Sequence, residues 1–153
     1  MAIVEKAFGP EHPHTATSLD NLAFVLRDQG DSTGARPLAE RALAIREKAL
    51  RPERPNTAAS LNNLAMLLEV QGDFAGARPL YQRALAICEK ALGPEHPNTA
   101  TSLNNLARLL HAEGDFAGAR PLFERALAIR EKRCGPEHPD TASTPLCFAT
   151  RAT

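Results

Sequence analysis

Histidine is the side chain most used for proton transfer near neutral pH and for binding metals, and the chain has five. His12, His96 and His138 each stand in the same Pro-Glu-His-Pro setting, far apart in sequence. That arrangement gives one imidazole per place, whereas a zinc site needs three or four ligands converging on one ion. His12 and His14 flank Pro13 with no third ligand nearby in sequence. No metal and no cofactor is expected. The cysteines (Cys88, Cys134, Cys147) are odd in number and without pattern. This points to a reducing compartment, the cytoplasm, and to no disulfide framework. Cys88 stands where Arg46 and Arg130 stand in equivalent segments, and reads as a small apolar filler rather than a nucleophile. No His, Asp and Ser set is spaced for nucleophilic catalysis, and no Gly-rich phosphate loop follows a strand. The chain is not expected to be an enzyme.

The residues that recur point to recognition instead. Asn21, Asn63 and Asn105 lie 42 residues apart, and each carboxamide offers both a donor and an acceptor. Their spacing is the spacing of the whole chain. Gly9-Pro10-Glu11-His12-Pro13 returns as Arg51-Pro52-Glu53-Arg54-Pro55, then as Gly93-Pro94-Glu95-His96-Pro97 and Gly135-Pro136-Glu137-His138-Pro139. Internal repetition at such a period marks a stacked array. Residues 9–50, 51–92 and 93–134 are three full units, residues 1–8 the remnant of a preceding unit's second helix, and residues 135–153 an aborted fourth unit.

Each unit reads as two helices. In the second, Asn56 is expected to cap the first helix through its side-chain oxygen. Leu61, Leu64, Ala65 and Leu68 then form one apolar stripe at helical spacing. Gln71-Gly72-Asp73 ends that helix, with Gly72 left-handed and Asp73 capping the next. Ala77, Leu80, Tyr81, Ala84, Leu85 and Ile87 continue at helical spacing to about Leu92. Pro37, Pro79 and Pro121 fall about six residues into the second helices, where a loose or kinked first turn is expected. One helix pair cannot bury its apolar face alone, so the pairs are expected to stack into an all-α solenoid.

Eighteen basic residues balance eighteen acidic ones, and no basic cluster of the kind that binds nucleic acid is visible. No apolar run approaches the ~18 residues that span a membrane. Neither nucleic acid nor membrane is expected as a partner. Aromatic residues are 5% with no Trp, so the core must be built from Leu, Ala and Ile, a mixture that favours helices.

The run Thr57-Ala58-Ala59-Ser60-Leu61-Asn62-Asn63-Leu64-Ala65, then Gln71-Gly72-Asp73-Phe74, then Ala77-Arg78-Pro79-Leu80-Tyr81-Gln82-Arg83-Ala84-Leu85 resembles tetratricopeptide repeats (TPRs) of the 42-residue type found in kinesin light chains. The likeness covers residues 2–142. It implies a right-handed superhelix in which the first helix of each pair lines a concave groove that binds peptide segments of partner proteins. The long heptad segment of a kinesin light chain is absent from this sequence, so kinesin attachment is not expected. The first unit departs from the other two: Ser32 stands where Phe74 and Phe116 stand, and Ala39 where Tyr81 and Phe123 stand. Two large core contacts are thereby lost.

Between units the apolar stripe is constant while one face of the first helix varies. It carries Asp20/Asn62/Asn104, Phe24/Met66/Arg108 and Arg27/Glu69/His111, with Asn21, Asn63 and Asn105 constant among them. The resemblance places this face in the groove. There the Asn ladder would hold a peptide backbone and the varied residues would set sequence preference. In the alternative, the Asn residues serve local bonds or helix packing and the varied face is merely solvated. Function is read as a protein-interaction scaffold. The alternatives are an assembly unit that self-associates by stacking through uncapped ends, and a fragment of a longer TPR signalling or kinesin-light-chain-like protein. Pro145 stands where Leu19, Leu61 and Leu103 stand. Residues 143–153 are therefore expected to be loose, leaving Leu122, Phe123 and Ile129 partly uncovered.

Overall fold

The computed structural model describes residues 9–50 and 53–134. It contains helices α1 (Pro13–Asp28), α2 (Ser32–Leu50), α3 (Pro55–Val70), α4 (Phe74–Leu92), α5 (Pro97–Ala112) and α6 (Phe116–Cys134). No strand occurs among the described residues. The readings for residues 1–8 and 135–153, the loose tail included, lie outside the described residues. The chain divides after Ile87, within α4, into two compact units. In the first, α1 packs on α2, and both touch α3. In the second, α5 packs on α6. No helix among the described residues is long and apolar enough to cross a membrane.

The helix starts differ from the sequence-based expectation. Asn56 does not cap α3, because Pro55 already occupies the first helical position, which suits its fixed φ and missing N–H. The cap falls two residues earlier than expected, on the residue before the proline. At α1 and α5 that residue is histidine. His12 Nδ1 accepts from the His14 N–H at 3.2 Å, and His96 Nδ1 from the Asn98 N–H at 3.1 Å. His12 and His96 are thus helix caps. Arg54 takes the same place at α3 and makes no side-chain cap bond, as a guanidinium has donors only. The hydroxyls of Thr15 and Thr99 fasten the preceding loops by donating to the Gly9 and Gly93 carbonyls, each at 2.8 Å.

The turn within each pair follows the expectation. Gly30, Gly72 and Gly114 have φ of 85°, 79° and 84°, the left-handed backbone that closes a helix C-terminus. The next amide reaches back: Asp31 N–H donates to Leu26 O, Asp73 N–H to Leu68 O and Asp115 N–H to Leu110 O, each at 2.8 Å. The same aspartates then open the following helix. Their Oδ1 atoms accept from the N–H groups of Gly34, Gly76 and Gly118 at 2.8, 2.9 and 2.9 Å. A Cβ on Gly76 would stand 2.6 Å from the Asp73 carboxylate, which explains the glycine three residues after each aspartate.

The prolines do not interrupt the second helices, contrary to the loose or kinked turn expected. Pro37, Pro79 and Pro121 lie inside α2, α4 and α6, each continuous over 19 residues. The carbonyls they leave without an N–H partner belong to Thr33, Ala75 and Ala117, four residues back. All three residues are exposed, so water can serve these carbonyls.

Small residues let the helices approach closely. Ala16, Leu19, Ala42 and Ile45 form a core cluster between α1 and α2, with Leu38 packed against it. Ala39 is fully buried there, in the place that Tyr81 and Phe123 fill in the other pairs. Phe123 and Ile129 are also buried and Leu122 half-buried, which corrects the expectation that all three lie partly uncovered. Ile45 and Ile87, at the position of Ile129, are equally buried. These positions therefore face the interior of their own helix pair.

His96→Ala removes an acceptor that α5 uses and should lower stability by about 1 kcal/mol. Arg54→Ala removes no cap bond and should leave the urea unfolding midpoint unchanged; comparing the two midpoints isolates the cap.

Candidate functional site

In the first unit, a shallow depression with about 10 Å³ of enclosed space lies between α1 and α3, lined by Asp20, Ala23, Phe24, Arg27, Asn63 and Leu67. Four of these are residues singled out from sequence. They meet because positions 20, 23, 24 and 27 share one face of α1, while 63 and 67 share one face of α3. The exposed Phe24 ring carries the Arg27 guanidinium 4.5 Å from its centroid. Arg27 also reaches Asp28 at 2.9 Å and lies 3.9 Å from the Met66 sulfur. A guanidinium on an aromatic face is held flat by its quadrupole, so Arg27 is a fixed charge at the rim rather than a free arm.

Asp20 is not the exposed groove acid that its variation between units suggests. It is buried, as is Arg46 of α2. Arg46 Nη1 lies 2.6 Å from Asp20 Oδ2. The same guanidinium donates to the Ser60 hydroxyl at 2.6 Å, to the Asn56 carbonyl at 2.9 Å and to the Thr17 hydroxyl at 3.3 Å. Ser60 donates in turn to Asp20 Oδ2 at 2.9 Å. Burial pushes the Asp20 carboxyl above its ordinary value; the charge of Arg46 and hydrogen bonds from Ser60, Asn63 and Arg46 oppose that rise without cancelling it. Asn63, on the Asn ladder, is thus tied to Asp20 as well as lining the depression.

Glu69 is also engaged inward. The Tyr81 hydroxyl donates to its Oε2 at 2.9 Å. Ala39 stands where Tyr81 stands, and Arg27 where Glu69 stands; with no phenol to meet, Arg27 turns to Phe24. Of the remaining first-unit positions, Asn21 is exposed and Asn62 and Met66 are half-buried. In the second unit, α5 exposes Arg108 and His111 and half-buries Asn104 and Asn105. The His111 ring meets the exposed Phe116 ring edge-on, centroids 5.0 Å apart. Cys88 is buried, with the Ser102 hydroxyl 3.6 Å from its sulfur. It accepts a weak bond there and is not simply a filler.

The tetratricopeptide repeat profile matches residues 1–48, 19–75 and 56–132. The chain belongs to the tetratricopeptide repeat family. Among solved structures it is similar to a kinesin-light-chain candidate from Podosopora anserina with nearly identical TPR-like repeats, at 34% identity and a TM-score of 0.80, covering 87% of this chain and 63% of that one. A single-substitution variant of that same protein matches equally. BtubC (BKLC) from P. vanneervenii shares the fold at 23% identity and a TM-score of 0.75, over 92% of this chain and 57% of that one. The chain therefore spans less than two thirds of these structures. A search of curated proteins gives no match. The TPR fold is an all-α helical-repeat scaffold of a non-catalytic type that serves protein interaction generally.

Two TPR positions missed from sequence are Arg46 and Tyr81, both on second helices. The signal was present but faint. Arg46 with Asp20 in the first repeat becomes Cys88 with Asn62 in the second, so both charges leave together there, while the third repeat keeps the arginine (Arg130) with Asn104. Arg46→Cys alone strands a buried carboxylate and should cost ~3 kcal/mol or more. Adding Asp20→Asn should recover most of that loss in denaturant unfolding. The raised folded-state value gives a pH sign as well. Asp20's linked contribution is full below its ordinary value and is lost as pH rises through the folded-state value. Acidification from neutral should therefore favour the wild type over the double variant.

Proposed function

We propose that this TPR chain binds extended peptide segments of partner proteins on the varied face of its first helices. The depression beside Phe24 carries this reading. With about 10 Å³ of enclosed space, far below the ~300–1,000 Å³ of small-molecule sites, it is a notch in an open face across which a peptide can lie. Asn21 beside it, and Asn105 on α5, offer carboxamides to a peptide backbone. Asn63 does so only in part, since it also serves Asp20.

The side-chain preference follows from which groups are already engaged. Asp20 and Glu69 are taken by Arg46, Ser60 and Tyr81. The residues left to a ligand in the first unit are Phe24, Met66 and the fixed Arg27. That set favours a peptide that pairs an apolar anchor with a nearby carboxylate. On α5, Arg108 and His111 extend the same preference.

Peptides selected against the chain from a random display library test this. Phe24→Ala with Arg27→Ala should weaken the selected peptides by about tenfold or more, equal to about 1.4 kcal/mol, with the helical circular dichroism signal unchanged. Asn21→Ala should weaken them less and independently of peptide sequence. Selected peptides that bind the Phe24 and Arg27 variant as tightly as the wild type would place recognition elsewhere.

A further inference from the structure

The two carboxylate oxygens of Asp20 are served unequally. Oδ2 takes Arg46 and Ser60 at 2.6 and 2.9 Å. Oδ1 is buried and meets no donor in hydrogen-bonding geometry among the described residues. The side chain as a whole is only 7% exposed. A buried acceptor without a donor bears its full desolvation cost, so such an atom marks a place where a water or a ligand belongs. The same position recurs in the second unit. Asn104 stands on α5 where Asp20 stands on α1, and its Oδ1 is likewise buried with no hydrogen-bond partner. The open acceptor therefore belongs to the position and not to the carboxylate alone.

Asp20 also lines the notch between α1 and α3, and the notch restricts what can donate to it. Its enclosed space of about 10 Å³ is close to the ~10–15 Å³ that one water needs. A main-chain N–H is flanked by Cα atoms ~3.8 Å apart, too broad a group for that space. A hydroxyl at the tip of a short side chain is no larger than the water. Ala23, Phe24 and Leu67 in the lining are apolar and suit the carbon that carries the hydroxyl. Charge argues against a cationic donor. Arg46 already neutralises Asp20, and Arg27 is held at the rim, so an ammonium or guanidinium group would face two like charges.

We propose that the notch takes the hydroxyl of a serine or threonine in the bound peptide, donated to Asp20 Oδ1. This rests on the peptide reading above and adds a third element to its motif, beside the apolar residue on Phe24 and the carboxylate on Arg27. A hydrogen bond to an ionised acceptor is stronger than one between neutral groups, and a site built around a hydroxyl rejects the analogue that lacks it. Asp20 is then a specificity residue: one oxygen holds the helix pairs together and the other reads the ligand.

Peptides selected on the full chain from a random display library, then synthesised in matched pairs, test this. Those that lose affinity on Phe24→Ala with Arg27→Ala should share a serine or threonine beside their apolar residue. Exchanging it, serine for alanine or threonine for valine, should weaken binding to the wild type about tenfold or more. Asp20→Ala with Arg46→Cys removes the acceptor and its counter-charge together, and on that variant the two members of each pair should bind alike. Asp20→Asn with Arg46→Cys, the combination that the second repeat carries as Asn62 and Cys88, keeps an oxygen without the charge and should narrow the difference. Circular dichroism checks that each variant is folded. Phe24-dependent peptides that share no hydroxyl, a matched pair that binds the wild type equally, or a difference that persists in full on both variants would each overturn this inference and leave the peptide reading intact. A library that yields no binder overturns that reading, and this inference with it.

Discussion

The fold depends on one aspartate used twice. Asp31, Asp73 and Asp115 each close the helix behind with a backbone amide and open the helix ahead with a carboxylate oxygen. Helix ends leave four amides or carbonyls unsatisfied. Serving one stop and one start within a single residue holds the connection so short that the two helices can only run antiparallel and side by side. Their apolar stripes must then meet. The alanine-rich core follows, since helices brought this close leave room for little more than a methyl group at Ala16, Ala35, Ala39 and Ala42, all fully buried.

Much of this was legible in sequence because the signals are local. Gly72 and Asp73 state their roles by type alone, and the leucine stripe by its period. The start of α3 was misread because Asn is a better cap than Arg by type, while the proline before it fixes where the helix begins. The prolines within the second helices were read too severely because a lone sequence does not show that Thr33, Ala75 and Ala117 face water. Non-local pairings were not legible at all. The approach of Asp20 to Arg46 depends on how the first two helices cross. A varying polar residue on a first helix reads as solvated until its partner on the second helix is known.

The candidate surface is therefore written partly from inside. Whether position 27, 69 or 111 is offered to a ligand depends on the buried residue at 39, 81 or 123. Tyr81 draws Glu69 inward; Ala39 leaves Arg27 to the surface, where it lies on Phe24. A core substitution at position 81 would alter the charge a peptide meets without touching the peptide. The loss of a large core residue in the first unit, set against packing alone, is a defect. Set against the surface, it leaves a cation lying on the exposed Phe24 ring.

The buried cluster around Arg46 also bears on how such a chain can change its number of units by duplication or excision. Both charges, Asp20 and Arg46, belong to the same helix pair, and the following pair supplies only uncharged groups: the Ser60 hydroxyl, the Asn56 carbonyl and the Asn63 carboxamide. Ser18, Ser60 and Ser102 carry that hydroxyl in every unit. Excising residues 51–92 would set Arg46 against Ser102 in place of Ser60, with its carboxylate still beside it. Since the first repeat holds both its acid and its base, it can be copied, or the repeat after it deleted, without leaving a lone charge at this joint.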